Sequence, residues 1–172
     1  MKIIEFRDKK YPDFITTGNH ARFIMPVAKE VLGEGVGVDV GCKYPEWSYP
    51  GSVCVDLSFG DGFEALNLPL AGQLDYIFSS HCLEHIPDWE YVLEYWLTAL
   101  KPGGKVFLYL PHTDNEYWDT RFMPTRRHVN NLTPDAVAYV MERVGFVNVF
   151  KSERDAAYSF CVYGETLCPA SL

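Results

Sequence analysis

The sequence has no run approaching the roughly 20 consecutive apolar residues that a membrane-spanning helix needs. Its first residues, MKIIEFRDKKYPDF, mix charge through the few apolar ones instead of forming the hydrophobic core of a signal peptide. A cytoplasmic protein without a membrane partner is the expectation. Positive charge is scarce too: 15 Lys and Arg against 23 Asp and Glu give a formal net charge of −8. Nucleic acid is held mainly through a basic footprint on its phosphates, so it is not an expected partner, although Arg121, Arg126 and Arg127 gather locally. The five cysteines (Cys42, Cys54, Cys82, Cys161 and Cys168) contain no C-x-x-C pair, are odd in number, and three lie in apolar runs. That pattern predicts reduced, mostly buried thiols instead of disulfides or a zinc ribbon. Repeats, low-complexity tracts and linkers are also missing, so residues 1–172 are expected to form one domain. At 48% hydrophobic and 15% aromatic content the chain can bury one substantial core.

What is present is a set of short β-type runs alternating with helical ones, the pattern of an α/β sheet. NHARFIMPVAKEVL (Asn19 to Leu32) reads as a first helix, weakened by Pro26 and stopped by Gly33 and Gly35. Three strands follow: Val36 to Val40, running straight into Gly41; Ser52 to Leu57, with Asp56 at its end; and Gln73 to Ser79. Between Asp88 and Leu100, residues Trp89, Val92, Leu93, Trp96, Leu97 and Leu100 fall at helical spacing and predict a helix with one face on the sheet. KPGG closes that helix and turns into the strand Lys105 to Leu110, followed at once by Pro111 and His112. Thr133 as cap, Pro134 at the first position and Gly145 as stop frame another helix. Phe146 to Ser152 and Tyr158 to Gly164 are expected to pair as an antiparallel hairpin at the sheet edge.

The segments VGVDVGC, VCVDL, LPLAGQLDYIFSSHCLEHI and LTALKPGGKVFLYLP follow one another in an order that resembles class I S-adenosylmethionine-dependent methyltransferases, especially the small-molecule and sugar methylases. The resemblance runs from about Val36 to Gly145. Its most specific parts are LEHI before a helix and LKPGG before a strand; the glycine motif alone is weak. It implies an α/β, Rossmann-like three-layer sandwich with S-adenosylmethionine as cofactor and a small polar acceptor, such as a sugar or glycan precursor. Ligands of open α/β sheets sit beyond the carboxyl ends of the strands, which independently selects the residues just past each strand. Gly41 lets the backbone approach a ligand, and Asp39 can receive an ammonium group; in the family the matching residues, with Cys42, hold the methionine end of the cofactor. Asp56 would take the ribose hydroxyls, and Leu57 beside it is a further cofactor-binding candidate. EALNLPL resembles a family segment that would put Glu64 at the adenine amino group and Ala65 and Leu66 against its ring. Ser80 and His81 would line the cofactor after the third strand. Each of these also has a plainer reading as a turn, capping or surface residue.

Two departures from the family pattern stand out. GCKYPEW puts Lys43 and Pro45 where the second and third glycines of the motif belong. Residues 43–51 and 57–63 are also too few to hold the helices and the third strand of the usual sheet. A trimmed sheet is therefore expected, open on that side, with a second copy of the chain or the substrate as its cover.

Methyl transfer to a hydroxyl requires in-line approach and proton removal. His112, with Asp114 two residues on, reads either as a base or as a hydrogen-bonded structural histidine, and His81 is a second catalytic candidate. Tyr117, Trp118, Arg121 and His128 lie in the long connection after the KVFLYL strand and are candidates for holding the acceptor. His85 reads mainly as structural. Two rival functions remain open. His81, Glu84 and His85 spell H-x-x-E-H, a zinc-peptidase motif, but a strand directly before it and Pro87 two residues past His85 leave little more than one helical turn, so no metal is expected. The substituted glycines also fit a binding module that has lost its cofactor.

Overall fold

The computed structural model describes residues 2–16, 20–123 and 128–168. In chain order its elements are β1 (Ile3–Phe6), β2 (Lys9–Pro12), α1 (Ala21–Leu32), β3 (Gly37–Val40), β4 (Val53–Val55), β5 (Leu74–Ser80), α2 (Trp89–Ala99), β6 (Leu100–Pro111), α3 (Pro134–Val144), β7 (Val147–Lys151) and β8 (Ser159–Glu165). Six strands form one sheet in the order β4-β3-β5-β6-β8-β7. The β4, β3, β5 and β6 strands run parallel, while β8 is antiparallel to both β6 and β7. The expected edge hairpin and mostly parallel sheet are thus observed.

The inner strands lack polar alternation because both faces of the sheet are covered. On β5 and β6, Tyr76, Phe78, Phe107 and Tyr109 pack toward Ala21, Ile24, Ala28 and Leu32 of α1. Their neighbours Ile77, Val106, Leu108 and Leu110 pack toward Val92, Leu93 and Trp96 of α2 and Val137, Val140 and Met141 of α3. Three layers result. Trp96 is fully buried and donates its indole N–H to the Ala65 carbonyl at 2.8 Å, which ties the 64–68 segment to α2. The α3 boundaries follow the sequence signals: Thr133 Oγ1 accepts from the Ala136 N–H, Pro134 opens the helix, and Gly145 ends it in a left-handed conformation.

Between β3 and β4 there is only a 3₁₀ turn, Pro45–Trp47, and between β4 and β5 only Leu57–Phe59 and an isolated Glu64/Asn67 bridge. The trimmed side is therefore real, and β4 is the sheet edge. Three features differ from expectation. First, strand pairing on β6 begins at Leu100, so the KPGG segment is a bulge within the strand, where the register with β5 shifts between Leu74 and Tyr76. Second, β1 and β2 form a hairpin whose turn residues Arg7 and Asp8 both have positive φ. That turn geometry normally announces itself through Asn-Gly or Asp-Gly, and Arg-Asp hides it. Third, Cys42 and Cys54 are joined in a disulfide, leaving Cys82, Cys161 and Cys168 as free thiols among the described residues. The all-reduced expectation is corrected: the parallel register puts Val40 beside Val55, which brings Cys42, just beyond β3, next to Cys54. No helix among the described residues is long and apolar enough to cross a membrane.

Candidate functional site

From β3 the chain first reaches its neighbour on one side, β4, and then crosses to its neighbour on the other, β5. A reversal of this kind opens a crevice at the carboxyl ends of the flanking strands. Gly41 to Lys43, Asp56, and Ser80 to Leu83 meet there. Gly41 has φ of 83° and gives its N–H to the Val55 carbonyl at 2.8 Å. A Cβ on it would lie 2.6 Å from that of Cys82, so only glycine lets the β3 and β5 ends approach this closely. Lys43, at the second glycine position of the family motif, keeps the left-handed backbone with φ of 51°. The glycine conformation survives there without the glycine, at a cost of about 1–2 kcal/mol.

Asp39 is 2% exposed and accepts the Tyr49 N–H at 2.8 Å, which pins the 41–49 loop across the end of β3. Burial raises its pKa to about 7, against the opposing pull of the Tyr49 N–H and Ser48. The partly exposed Asp56 accepts from Ser58 N and Oγ through Oδ1, at 2.9 and 2.6 Å, and from Lys43 N through Oδ2 at 3.1 Å. Cys42 is buried, with its sulfur held in the disulfide. Leu57, Glu64 and Leu66 are exposed, and Ala65 is packed against the core. Ser80 is buried, and its hydroxyl has no hydrogen-bond partner among the described residues.

His81 leaves β5 in a left-handed conformation, φ 52°, and donates its N–H to the Tyr109 carbonyl at 2.8 Å. Such strain in a non-glycine residue persists only where the surroundings enforce it. Its ring lies 4.9 Å from that of His20, and its Nε2 is 3.1 Å from Ser159 Oγ. Burial, reinforced by His20, His128 and His85, holds its pKa well below 6.5, so it is neutral at pH 7. His20 carried no strand-end signal, because it belongs to the start of α1 and reaches the site only through packing. Ser159 and Tyr109 come from β8 and β6 and were equally invisible.

His112 and Asp114 are neighbours, but they do not form a hydrogen-bonded pair. The carboxylate is 3.7 Å from Nδ1, which instead accepts the Asp114 backbone N–H at 3.1 Å. In its neutral form His112 therefore carries its proton on Nε2, while the Asp114 carboxylate pairs with Arg154 Nε at 3.1 Å. Of the acceptor candidates, Arg121 forms a fork onto the buried Asp119 carboxylate, which lowers the Asp119 pKa. Trp118 donates to the Ile15 carbonyl at 2.5 Å and stacks on His128 at 5.2 Å, and Tyr117 packs edge-on against Phe6. A small cleft is lined by His112, Asn115, Trp118, Asp119 and His128. Arg126 and Arg127 lie outside the described residues. The H-x-x-E-H letters do not lie on an α-helix: His81 precedes a single 3₁₀ turn, Leu83–His85, so the helical spacing of a zinc-peptidase motif is not formed.

Several known proteins share this architecture. Over 79 residues, 44% of this chain, the sequence is 34% identical to phosphoethanolamine N-methyltransferase 2 of Caenorhabditis elegans, a match spanning 18% of that protein. Haemonchus contortus phosphoethanolamine N-methyltransferase 2, solved with phosphomonomethylethanolamine and S-adenosylhomocysteine, superposes with a TM-score of 0.62 at 12% identity, covering 88% of this chain and 54% of that one. Burkholderia thailandensis 1,6-didemethyltoxoflavin-N1-methyltransferase, solved with 1,6-didemethyltoxoflavin and S-adenosylhomocysteine, gives 0.61 at 17% identity over 90% of this chain and 81% of that one. At such identities the structural likeness establishes the fold, and the chain spans only about half of the Haemonchus protein and a fifth of the Caenorhabditis one. A sequence model of the family described as "Methyltransferase domain" matches residues 16–150, most of the length, and the chain belongs to that family.

Proposed function

We propose that the chain transfers a methyl group from S-adenosylmethionine to a small polar acceptor, working as a single domain. The observation that carries this reading is the convergence of Gly41, Asp56 and Ser80 at the carboxyl ends of β3, β4 and β5, beside the strand-order reversal. These residues fit the cofactor. The Asp56 carboxylate uses three of about four lone-pair positions and keeps one toward solvent. The Ser80 hydroxyl is a buried polar atom still lacking a partner among the described residues, and glycine at 41 lets the ends of β3 and β5 meet beside it. Bound S-adenosylmethionine supplies an electrophilic methyl group on a sulfonium.

The protein's own work is positioning. His81, neutral because burial keeps its proton affinity low, is held by Ser159 at Nε2 and faces Glu84 with Nδ1, so it serves as a fixed wall beside the crevice and not as the base. His112, which lines the small cleft with Trp118 and His128, can offer its Nε2–H to an acceptor bound there. The relatives are named for phosphoethanolamine and 1,6-didemethyltoxoflavin; a sugar acceptor rests only on the sequence resemblance. A second copy covering the β4 edge, where Trp47, Val53 and Leu57 are exposed, is part of this reading and is checked by light scattering.

The test is calorimetric titration with S-adenosylmethionine and S-adenosylhomocysteine. Saturable binding that Asp56→Ala weakens at least tenfold supports the enzyme. Absence of binding at millimolar ligand would make the chain a module that has lost its cofactor, and unchanged affinity in the variant would refute the ribose assignment.

A further inference from the structure

The H-x-x-E-H letters are not absorbed by the methyltransferase reading, and the fold brings a fourth residue to them. Glu84 is fully buried, and neither carboxylate oxygen has a hydrogen-bond partner among the described residues. Its Oε1 lies 3.7 Å from His85 Nε2, 3.7 Å from His128 Nε2 and 3.7 Å from His81 Nδ1. Those separations are too long for hydrogen bonds. They are close to the spacing of atoms around a shared ion, since ligands at about 2.1 Å from a tetrahedral zinc stand about 3.4 Å apart. The ligand atoms of Glu84, His85 and His128 all lie within 4.8 Å of one another.

We propose that Glu84, His85 and His128 form a binding site for a divalent first-row transition ion of the zinc type, with His81 Nδ1 as the next nitrogen in reach. Two imidazoles and one carboxylate are a donor set that zinc accepts, whereas magnesium and calcium favour oxygen alone. The supports are in place. The Glu84 carbonyl accepts the N–H groups of Val129 and Asn130, at 2.9 and 3.1 Å, and Asn130 Nδ2 donates to the Ile86 carbonyl at 2.7 Å. Trp118 stacks on His128 and fixes its ring plane, and Ser159 holds His81 Nε2 so that Nδ1 faces Glu84. The His85 side chain is 39% exposed, which gives an ion a route in and gives that ring room to move inward by a few tenths of an ångström. The ion would join the connection after β6 to the turn after β5. It requires no helix and is not a peptidase centre. The ion's proposed ligands include none of the residues Gly41, Asp56 and Ser80 assigned to the cofactor, although His81 directly follows Ser80 in the chain.

The experiment is a cobalt(II) titration of untagged, chelator-dialysed protein, followed by visible absorption, with zinc(II) as competitor. One equivalent with a ligand-field band that zinc abolishes is expected. His85→Ala, which removes a partly exposed side chain and leaves the fold intact by circular dichroism, is expected to weaken binding at least tenfold, and Glu84→Gln to do the same. Absence of a saturable one-equivalent band in the wild type overturns the proposal, as does a cobalt affinity unchanged in His85→Ala.

Discussion

Asp39→Asn tests how the crevice is built. The carboxyl is nearly inaccessible, and its pKa rises from an ordinary 3.8 to about 7, with burial as the main cause. Between those values the native state keeps a proton that the unfolded chain has released. Stability therefore falls as pH rises from about 4 to about 7 and then levels off. At about 1.4 kcal/mol for each tenfold change in proton affinity, the loss amounts to about 4 kcal/mol. Asparagine is nearly the same size, keeps an oxygen for the Tyr49 N–H and never carries the charge. The assay is urea unfolding of both proteins from pH 4 to pH 8, read as the difference in unfolding free energy, which cancels the other titrating groups. The variant should gain on the wild type steadily up to about pH 7, approaching 4 kcal/mol, while any difference at pH 4 stays constant. Parallel pH profiles would refute the reasoning, and would mean that water or a counter-charge reaches Asp39. If Asp39 also receives the ammonium end of the cofactor, the same variant binds S-adenosylmethionine less tightly at pH 8.

Further consequences are equally direct. Gly41→Ala should destabilise by about 2–4 kcal/mol in the same unfolding assay, combining a strained left-handed alanine with a clash against Cys82; a loss under 1 kcal/mol would show that the β3 and β5 ends separate easily. Thiol titration in denaturant without reductant should count three groups and, after reduction, five, in keeping with the Cys42–Cys54 disulfide. A count of five at the outset would restore the reduced state that the cysteine pattern predicts.

Much of the scaffold was legible because its signals are local. Pro134 and Gly145 bound a helix by their backbone preferences, and VGVDV and QLDYIFS are apolar runs of strand length bounded by glycine or polar residues. The short intervals after Cys42 and Asp56 foretold the missing helices because a helix needs residues to exist. The β1–β2 turn was hidden because Arg7 and Asp8 adopt a conformation usually left to glycine or asparagine. The pairing of Cys42 with Cys54 was hidden because it depends on which strands are neighbours and in what register.

The sequence by itself determined the order of strands and helices from α1 onward, the position of glycine and acidic residues such as Gly41 and Asp56 at strand ends, and the family likeness that follows from them. These are properties of consecutive residues. Only the tertiary structure decided what each side chain meets. It turned Arg121 into the partner of Asp119, separated the His112 ring from the Asp114 carboxylate, and placed His20 and Ser159 against His81. It also buried Glu84 among three imidazoles, one of them His128, 44 residues further along the chain. The contacts of His81 with His20 and Ser159, and of Glu84 with His128, join segments far apart in the chain, and no spacing along it encodes them.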